Sequence, residues 1–271
     1  MKTVLLAGGK GTRISNYVYN VPKPLIEISG IPIIEHIMHL YASKNYTDFI
    51  VCAGNKQRII ASHFKNLFES REDLHINFRS GEKRSTQKEE KPLFSSWNVS
   101  IIDTGNSTMT GGRIARIKSL IEGEDFFVTY SDAVSDVDLD KLLAFHRSHG
   151  KIATLTAVYP PQRFGTLGFG ENDKVEKFSE KNPSSTMING GFFVFSKKIF
   201  DYIEGDHSVL ERDVFSSLSQ AGELYAYRHH GFWQCMDLIH EKQYLEWVWN
   251  LNKSWNVEKN GLYDQAYHEK A

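Results

Sequence analysis

The sequence predicts an α/β protein with a Rossmann-like, doubly wound sheet that is mixed but mainly parallel, and with a small C-terminal subdomain. The first observation is that short apolar runs alternate with amphipathic stretches, as in a sheet covered by helices on both faces. The second is the length, because 271 residues can bury a substantial core. We expect residues 1–200 to form the core, and residues 201–271 to form a subdomain and tail that complete the site.

The first half of the chain shows this alternation most clearly. The runs "KTVLLAG" and "DFIVCAG" predict buried strands, and each is followed by a stretch that predicts an amphipathic helix. The first helix, in "PIIEHIMHLYASKN", carries apolar residues at helical spacing, namely Ile33, Ile34, Ile37, Met38 and Tyr41. The second helix, "QRIIASHFKNLF", has an apolar stripe formed by Ile59, Ile60, Phe64 and Phe68.

The rest of the chain predicts more strands with shorter connections. Residues 79–92 are charged and almost free of apolar side chains, which predicts a solvated or mobile loop, with a lid or a subunit contact as the alternative. Strands are expected at "WNVSIIDTG", "FFVTYSDA", "KIATLTAVY", "KVEKFSEK" and "GGFFVFS", the last three in mixed pairing. The helix "DLDKLLAFHRSHG" should stop at Gly150, and another helix is expected within "VLERDVFSSLSQAG". The tryptophan side chains near the end of the chain either pack at a subunit interface or lie in the core; they are Trp247, Trp249 and Trp255.

Composition excludes several classes of protein. The formal net charge of −1 gives no global basic field for nucleic-acid binding, so any phosphate site must be local. Cys52 and Cys235 offer no disulfide framework and no metal-binding spacing, and Cys52 fits a small buried hydrophobe. No run approaches the roughly 20 apolar residues that span a bilayer, and no charged leader precedes an apolar stretch. We therefore expect a cytoplasmic protein without nucleic-acid or membrane partners.

The stretch "LLAGGKGTR" follows the first predicted strand with a glycine-rich, basic loop. Glycine lets backbone N–H groups approach a ligand, and a strand feeding such a loop commonly holds phosphate. The loop lacks the Gly-Lys-Ser/Thr of a Walker loop, and Ile14 stands where a dinucleotide fingerprint needs its third glycine. Its cations Lys10 and Arg13, together with Lys23 of "VPKPL", suit a triphosphate.

Further polar residues lie at the ends of predicted strands, where ligands of a doubly wound sheet collect. Asp132 directly follows the apolar run "FFVTY", where it is either a turn-forming residue or a ligand of a hard cation. Near Lys23, the residues Pro22 and Pro24 should hold the backbone extended and so fix the direction of its ammonium group.

Five motifs carry a resemblance to a known family, and they are "LLAGGKGTR", "VPKPL", "DTGNSTMTGGR", "INGGFFV" and "GFWQCMD". In matching order from Met1 to about Trp255, they closely resemble the sugar-phosphate nucleotidyltransferases, and the third and fifth motifs are specific to the cytidylyltransferase branch. The resemblance implies a Mg²⁺-dependent enzyme that transfers CMP from CTP to a phosphorylated metabolite, releases pyrophosphate and forms homo-oligomers. Glucose 1-phosphate, which would give CDP-glucose, is the usual acceptor of that branch, and CTP rather than UTP is inferred from the branch alone.

The resemblance also implies roles for individual residues. Arg13 and Lys23 would hold the reacting phosphates, and Asp132 and Asp237 would hold Mg²⁺. Nucleotide binding would involve Leu6, Ala7, Gly8, Gly9, Gly11, Thr12, Arg13, Thr108, Arg113 and Ser131. Acceptor binding would involve Gly165, Glu180, Lys181, Asn189 and Gly190.

Three departures from the family pattern lie close to the predicted site. Ser131 and Ala133 stand where relatives have glycines, Asn182 stands where they have proline, and Gly168 stands where they have a polar residue. Because these departures cluster on the acceptor side, the principal alternative is a cytidylyltransferase for a non-sugar phosphate, such as phosphoglutamine in capsule polysaccharide biosynthesis. Two other classes of protein are disfavoured. The missing third glycine argues against an NAD-dependent oxidoreductase, and the retained metal carboxylates argue against a non-catalytic nucleotide-binding regulator.

Overall fold

The central feature of the fold is a mixed sheet. The computed structural model describes residues 1–9, 21–70, 72–77, 79–80, 82–87, 93–161, 165–179, 186–251 and 255, and within these the sheet has eight strands. Four neighbouring strands run parallel, in the spatial order β8 (Asp125–Tyr130), β1 (Lys2–Ala7), β4 (Asp48–Ala53) and β7 (Asn98–Asp103). Their carboxyl ends therefore lie at one edge, which is where the predicted site residues follow them.

The other half of the sheet is mixed. Between β8 and β10 (Ala153–Val158) lies β14 (Phe193–Ser196), antiparallel to both. Two more strands pair with β10, namely β13 (Ile188–Asn189), which is antiparallel, and β15 (Leu224–Arg228), which is parallel. The predicted α/β class with a mixed, mainly parallel sheet is confirmed. Since β15 joins the same sheet as residues 1–200, the division of the chain at residue 200 stays a prediction.

In the described part of the chain, four antiparallel two-stranded sheets lie outside the central one. They are β2 (Glu27–Ile28) with β3 (Ile31–Pro32), β5 (Glu72–Asn77) with β6 (Glu82–Gln87), β9 (Ala133–Ser135) with β16 (Trp233–Cys235), and β11 (Thr166–Phe169) with β12 (Val175–Ser179). The predicted loop over 79–92 is therefore wrong for residues 82–87. Backbone pairing with all six residues of β5 forms this strand without needing apolar side chains, and residues 88–92 lie outside the described part of the chain.

The helices predicted after the first two strands and before Gly150 are confirmed, the one expected near residue 210 is only partly so, and those at Thr110–Ala115 and Ile239–Asn250 were not among the predictions. The helices are α1 (Ile33–Ala42), α2 (Gln57–Glu69), α3 (Thr110–Ala115), α4 (Leu139–His149), α5 (Phe215–Gln220) and α6 (Ile239–Asn250). The Asp138 side chain caps α4, and Gly150 ends it at φ 64°, as expected. The helix expected within "VLERDVFSSLSQAG" is instead a π-helical turn, Leu210–Val214, followed by α5. None of the helices in the described ranges is long and apolar enough to cross a membrane.

Both faces of the central sheet are buried, as the apolar runs predict. Along β1, Val4 and Leu6 pack into one core cluster while Leu5 and Ala7 pack into the other, which is the alternation of a strand covered on both sides. Cys52 is fully buried in the first of these clusters, and burial raises the pKa of its thiol to about 12. The prediction of a small buried hydrophobe at this position is confirmed.

Two expectations about apolar side chains hold only in part. Of the predicted stripe on α2, Ile60 and Phe64 are buried, whereas Ile59 and Phe68 are 42% and 62% exposed. In the last turn of α2, Leu67 rather than Phe68 packs against the core. The three tryptophans also differ, with Trp255 buried in the core, Trp249 packed against it and Trp247 exposed.

Candidate active site

The most highly charged feature at the carboxyl edge of the sheet is a cluster of three side chains. The Lys23 Nζ atom lies 2.5 Å from Asp132 Oδ2 and 2.5 Å from Asp237 Oδ1, although these partners are 109 and 214 positions away in sequence. The lysine side chain is 13% exposed, and the aspartates are 33% and 20% exposed. The structure thus brings together three of the predicted site residues, one catalytic and two metal-binding.

The two aspartates meet because of the short β9–β16 pair. Ala133 pairs with Cys235, and the Met236 N–H donates to the Asp132 carbonyl at 2.8 Å. Asp132, the residue before β9, is therefore fixed opposite Met236 and Asp237, the residues that follow β16. A pairing of only three residues a strand gives little sequence signal, although it decides where Asp237 lies.

Glu241 holds Asp237 in place and was not among the predicted residues. It lies at the start of α6, is 4% exposed, and its Oε2 accepts the backbone N–H of Asp237 at 2.6 Å and that of Leu238 at 3.0 Å. The Leu238 N–H is one of the backbone donors that a helix leaves without partners at its amino end, and the Asp237 N–H directly precedes it. An acidic residue three positions after the helix start is a recognisable capping signal, so the sequence did contain the information.

Lys23 lies in a tight turn. Pro22 is extended, with φ −65° and ψ 141°, but Lys23–Leu25 form a 3₁₀ turn in which the Leu25 N–H donates to the Pro22 carbonyl at 2.8 Å. The expectation of an extended backbone around Lys23 is wrong here, because Pro24 occupies a first-turn position that needs no N–H donor. Burial alone would lower the pKa of Lys23, but the carboxylates of Asp132 and Asp237 outweigh it and raise the pKa, so the group is an ammonium ion.

The predicted nucleotide loop is described only at its start. Leu6 and Ala7 are buried at the end of β1, and Gly8 and Gly9 follow it. Of the other residues predicted there, Gly11, Thr12 and Arg13 lie outside the described residues, as does Lys10.

Arg113 ties together the ends of three parallel strands. Its guanidinium donates to the carbonyl oxygens of Gly8 at 3.0 Å, Ala53 at 3.2 Å and Gly105 at 2.9 Å, and to Thr104 Oγ1 at 2.7 Å. These acceptors follow or end β1, β4 and β7. Burial lowers the pKa of Arg113, and these four acceptors take the place of water around the buried guanidinium.

Glycine provides the space that Arg113 fills. A Cβ atom on Gly8 would lie 2.0 Å from Arg113 Cζ, and one on Gly54 would lie 2.5 Å from its Nη1, whereas one on Gly9 would meet none of the described residues within 4 Å. The glycine at position 8 is therefore required by packing. In this structure the Arg113 guanidinium contacts three backbone carbonyls and the Thr104 hydroxyl, and its predicted contact with the nucleotide stays a prediction.

The "TGGR" segment of α3 packs against the chain before the π-helical turn. Cβ atoms on Gly111 and Gly112 would lie 2.8 Å from the Ser208 carbonyl oxygen and 2.5 Å from Asp206 Cα, and both glycine N–H groups donate to the Ser208 carbonyl. Thr108, predicted to contact the nucleotide, is 6% exposed just before this helix. Close helix packing therefore accounts for the two glycines of this motif.

Ser131 bonds toward strand β1. Its hydroxyl donates to the Leu6 carbonyl at 2.9 Å, and Ala133 is buried within β9. The side chains at these two unusual positions are thus accommodated by the sheet and the start of the nucleotide loop. That the departures cluster on the acceptor side stays a prediction.

Of the residues predicted to bind the acceptor, Asn189 ends β13, Gly190 follows it and Gly165 lies before β11. Asn189 Oδ1 accepts the Gly191 N–H at 3.0 Å, and Asn189 lines a cleft of about 600 Å³ over β10, β13 and β15. The other two predicted acceptor residues, Glu180 and Lys181, lie outside the described residues.

Comparison with known proteins defines the class. Residues 2–247 match the nucleotidyl transferase family, and the chain belongs to that family. The resemblance and the class of enzyme expected from the motifs are confirmed.

Among curated relatives, the chain is 42% identical over 256 residues to a glucose-1-phosphate cytidylyltransferase from Salmonella typhi, covering 94% of this chain and 98% of that protein. It is 38% identical to a probable glucose-1-phosphate cytidylyltransferase from Bacillus subtilis, covering 94% and 96% of the two chains. The crystal structure of HddC from Yersinia pseudotuberculosis shares the fold, with a TM-score of 0.67 at 21% identity over 92% of this chain and 99% of that one.

Proposed function

We propose that this protein transfers CMP from CTP to glucose 1-phosphate, giving CDP-glucose and pyrophosphate. The observation that carries the proposal is the cluster of Lys23, Asp132 and Asp237, which places a cation and two carboxylates at the edge where the nucleotide loop begins. The choice of CTP and of glucose 1-phosphate is supported by the two curated relatives, each matched over nearly its whole length.

The reaction needs no general base. A phosphate monoester has a second pKa of about 6, so at neutral pH the acceptor oxygen is already an anionic nucleophile. It attacks the α-phosphorus of CTP, and the new P–O bond forms as the bond from that phosphorus to the bridging oxygen breaks. The electron pair leaves with pyrophosphate. The protein's task is to bring two polyanions together and to balance the charge on the leaving group.

The carboxylates of Asp132 and Asp237 fit a divalent metal. Both point at one cation, the Lys23 ammonium, and oxygen-only donors suit Mg²⁺. Within the described ranges no group of three or more His, Cys, Asp or Glu side chains could hold a metal, so the two aspartates would share the ion with phosphate oxygens and water. When bound, Mg²⁺ supplies positive charge to the phosphates. Lys23 would then contact the reacting phosphates, together with Arg13 of the nucleotide loop.

The structure bears on the alternative acceptor. The departures at Ser131 and Ala133 suggested a reshaped acceptor pocket, but the Ser131 hydroxyl donates to Leu6 and Ala133 packs within β9. With these two changes accounted for, glucose 1-phosphate stays ahead of a non-sugar acceptor such as phosphoglutamine.

Pyrophosphate release with CTP and Mg²⁺, measured over a panel of acceptors, tests the proposal. The panel contains glucose 1-phosphate, other sugar 1-phosphates, glycerol phosphate and phosphoglutamine. We expect turnover with glucose 1-phosphate that is lost in Asp132→Asn and kept in the control Asp140→Asn, whose carboxylate forms an exposed ion pair with Lys44. Turnover with phosphoglutamine alone would overturn the assigned acceptor, and full activity of Asp132→Asn would overturn the metal site.

A further inference from the structure

Asn189, which is predicted to bind the acceptor, lies at the end of a hydrogen-bond network formed by Tyr130, Glu211 and Thr110. None of these three residues was assigned a role from the sequence. Tyr130 ends strand β8, and its hydroxyl donates to Oε1 of Glu211 in the π-helical turn. The second carboxylate oxygen of Glu211 accepts from the Thr110 hydroxyl at 3.0 Å. Glu211 thus joins the strand that leads to the metal aspartate with the first residue of α3.

The chemistry of the carboxylate gives the network a direction. An ionised carboxylate accepts only, so both hydroxyls donate to Glu211 and each hydroxyl oxygen is left as an acceptor. Thr110 Oγ1 accepts the Leu210 N–H at 2.9 Å, and the Tyr130 oxygen accepts from Asn189 Nδ2 at 3.3 Å. Two chains of donors therefore converge on one carboxylate.

This direction fixes the orientation of the Asn189 carboxamide. Its Oδ1 accepts the Gly191 N–H at 3.0 Å, while one of its two Nδ2 hydrogens goes to Tyr130. A flipped amide would face the Gly191 donor with another donor. One Nδ2 hydrogen is then left for a further acceptor, and Asn189 is among the residues that line the cleft over β10, β13 and β15.

We infer that Glu211 is a positioning residue for the acceptor, acting through Tyr130 to hold the Asn189 carboxamide with its N–H group available to an acceptor oxygen. The inference rests on the proposed function only in taking Asn189 as an acceptor-binding residue. Tyr130 is the intermediate, because its hydroxyl touches both the carboxylate and the amide.

Kinetic constants of four variants test this role. Tyr130→Phe and Glu211→Leu should each raise the KM for glucose 1-phosphate about tenfold, the upper range of one net hydrogen bond. They should leave kcat and the KM for CTP within about twofold. The double variant should show the same tenfold rise, because both changes break one chain. Glu211→Gln keeps an oxygen that accepts from Tyr130 and should restore most of the acceptor affinity.

The matched control is Asp213→Asn. Asp213 lies in the same turn, accepts the Val209 N–H at 2.7 Å and pairs with Arg212, but it does not touch Tyr130. A general loosening of the turn would raise the acceptor KM in this variant as well, and that result would overturn the inference. So would an unchanged KM in Glu211→Leu, or a hundredfold rise in the double variant.

A second measurement needs no turnover. The side-chain amide of Asn189, assigned by its loss in Asn189→Asp, should shift in ¹H–¹⁵N spectra of ligand-free Glu211→Leu and stay in place in Asp213→Asn. If wild-type protein turns over no acceptor in the panel, the proposed function fails. If the Asn189 amide signal is unchanged in Glu211→Leu, the network fails, whatever the outcome for activity.

Discussion

Replacing Lys23 by methionine should strengthen divalent-cation binding by the nucleotide-free protein while abolishing turnover. The ammonium group lies 2.5 Å from a carboxylate oxygen of each aspartate, which is the position where a cation shared by Asp132 and Asp237 would bind. Methionine has a similar length and no charge. The variant therefore removes a competitor for the two carboxylates without opening a large cavity.

The size of the effect follows from Coulomb's law. When a bound metal displaces the Lys23 ammonium group to a distance of about 4 Å, the two cations still repel each other. Two unit charges at this distance repel by about 1 kcal/mol in water and by about 4 kcal/mol at an effective dielectric constant of about 20, and a divalent ion doubles these values. The aspartate side chains are 33% and 20% exposed, so solvent screening favours the lower limit. A gain of about 2 kcal/mol corresponds to an affinity that is about thirtyfold higher.

Titration with Mn²⁺, followed by the EPR signal of the free ion, measures this affinity in the absence of nucleotide. The control is Lys44→Met, which removes an exposed lysine paired with Asp140. An affinity for Mn²⁺ that is unchanged or lower in Lys23→Met than in this control would refute the reasoning. It would mean that Lys23 and the metal do not compete for the same oxygens.

Three further predictions concern stability and the support of the site. Gly8→Ala should lower the free energy of unfolding by about 2 kcal/mol or more, because its Cβ would lie 2.0 Å from Arg113. Gly9→Ala should change the free energy of unfolding by less than about 0.5 kcal/mol, and urea unfolding of both variants measures the difference. Burial lowers the pKa of His36 from 6.5 to about 4. Between pH 6.5 and pH 4 the unfolded chain therefore binds more protons than the folded protein, and the free energy of unfolding should fall by up to about 3 kcal/mol as the pH drops through this range. Urea midpoints across that range should show a smaller fall in His36→Gln. Glu241→Ala should lower stability by about 1–2 kcal/mol and weaken Mn²⁺ binding, and Glu241→Gln, which keeps an acceptor for the helix start, should restore both.

The order of the main strands and helices could be predicted because each depends on local pattern. The runs at Lys2–Ala7, Asp48–Ala53 and Asp125–Tyr130 are apolar on consecutive residues, as strands buried on two faces require. Residues 82–87 were missed since their pairing with β5 depends on backbone hydrogen bonds, which leave no apolar pattern. The turn at Lys23 was also missed, because the preference of residues beside proline is weaker than the demands of the surrounding fold.

For the site, sequence indicated the charged residues but not what holds them. Asp132 and Asp237 were identified through the family motifs, and the structure places them on one ammonium group. The contacts of Arg113 could not be foreseen, because its acceptors follow strands that are distant in sequence. The same is true of Glu211, whose link to Tyr130 spans 81 positions.

The separation of Lys23 from Asp237 also sets when the site comes into existence. At about 5–20 residues per second, a ribosome adds the second of these residues roughly 10–40 s after the first. Lys23 and Asp132 are both present about 100 residues before Asp237, while the strand pair that positions Asp237 waits for residues 233–235. The incomplete chain therefore holds the start of its nucleotide loop before it has both carboxylates, and it acquires its chemistry only when the C-terminal segment has docked.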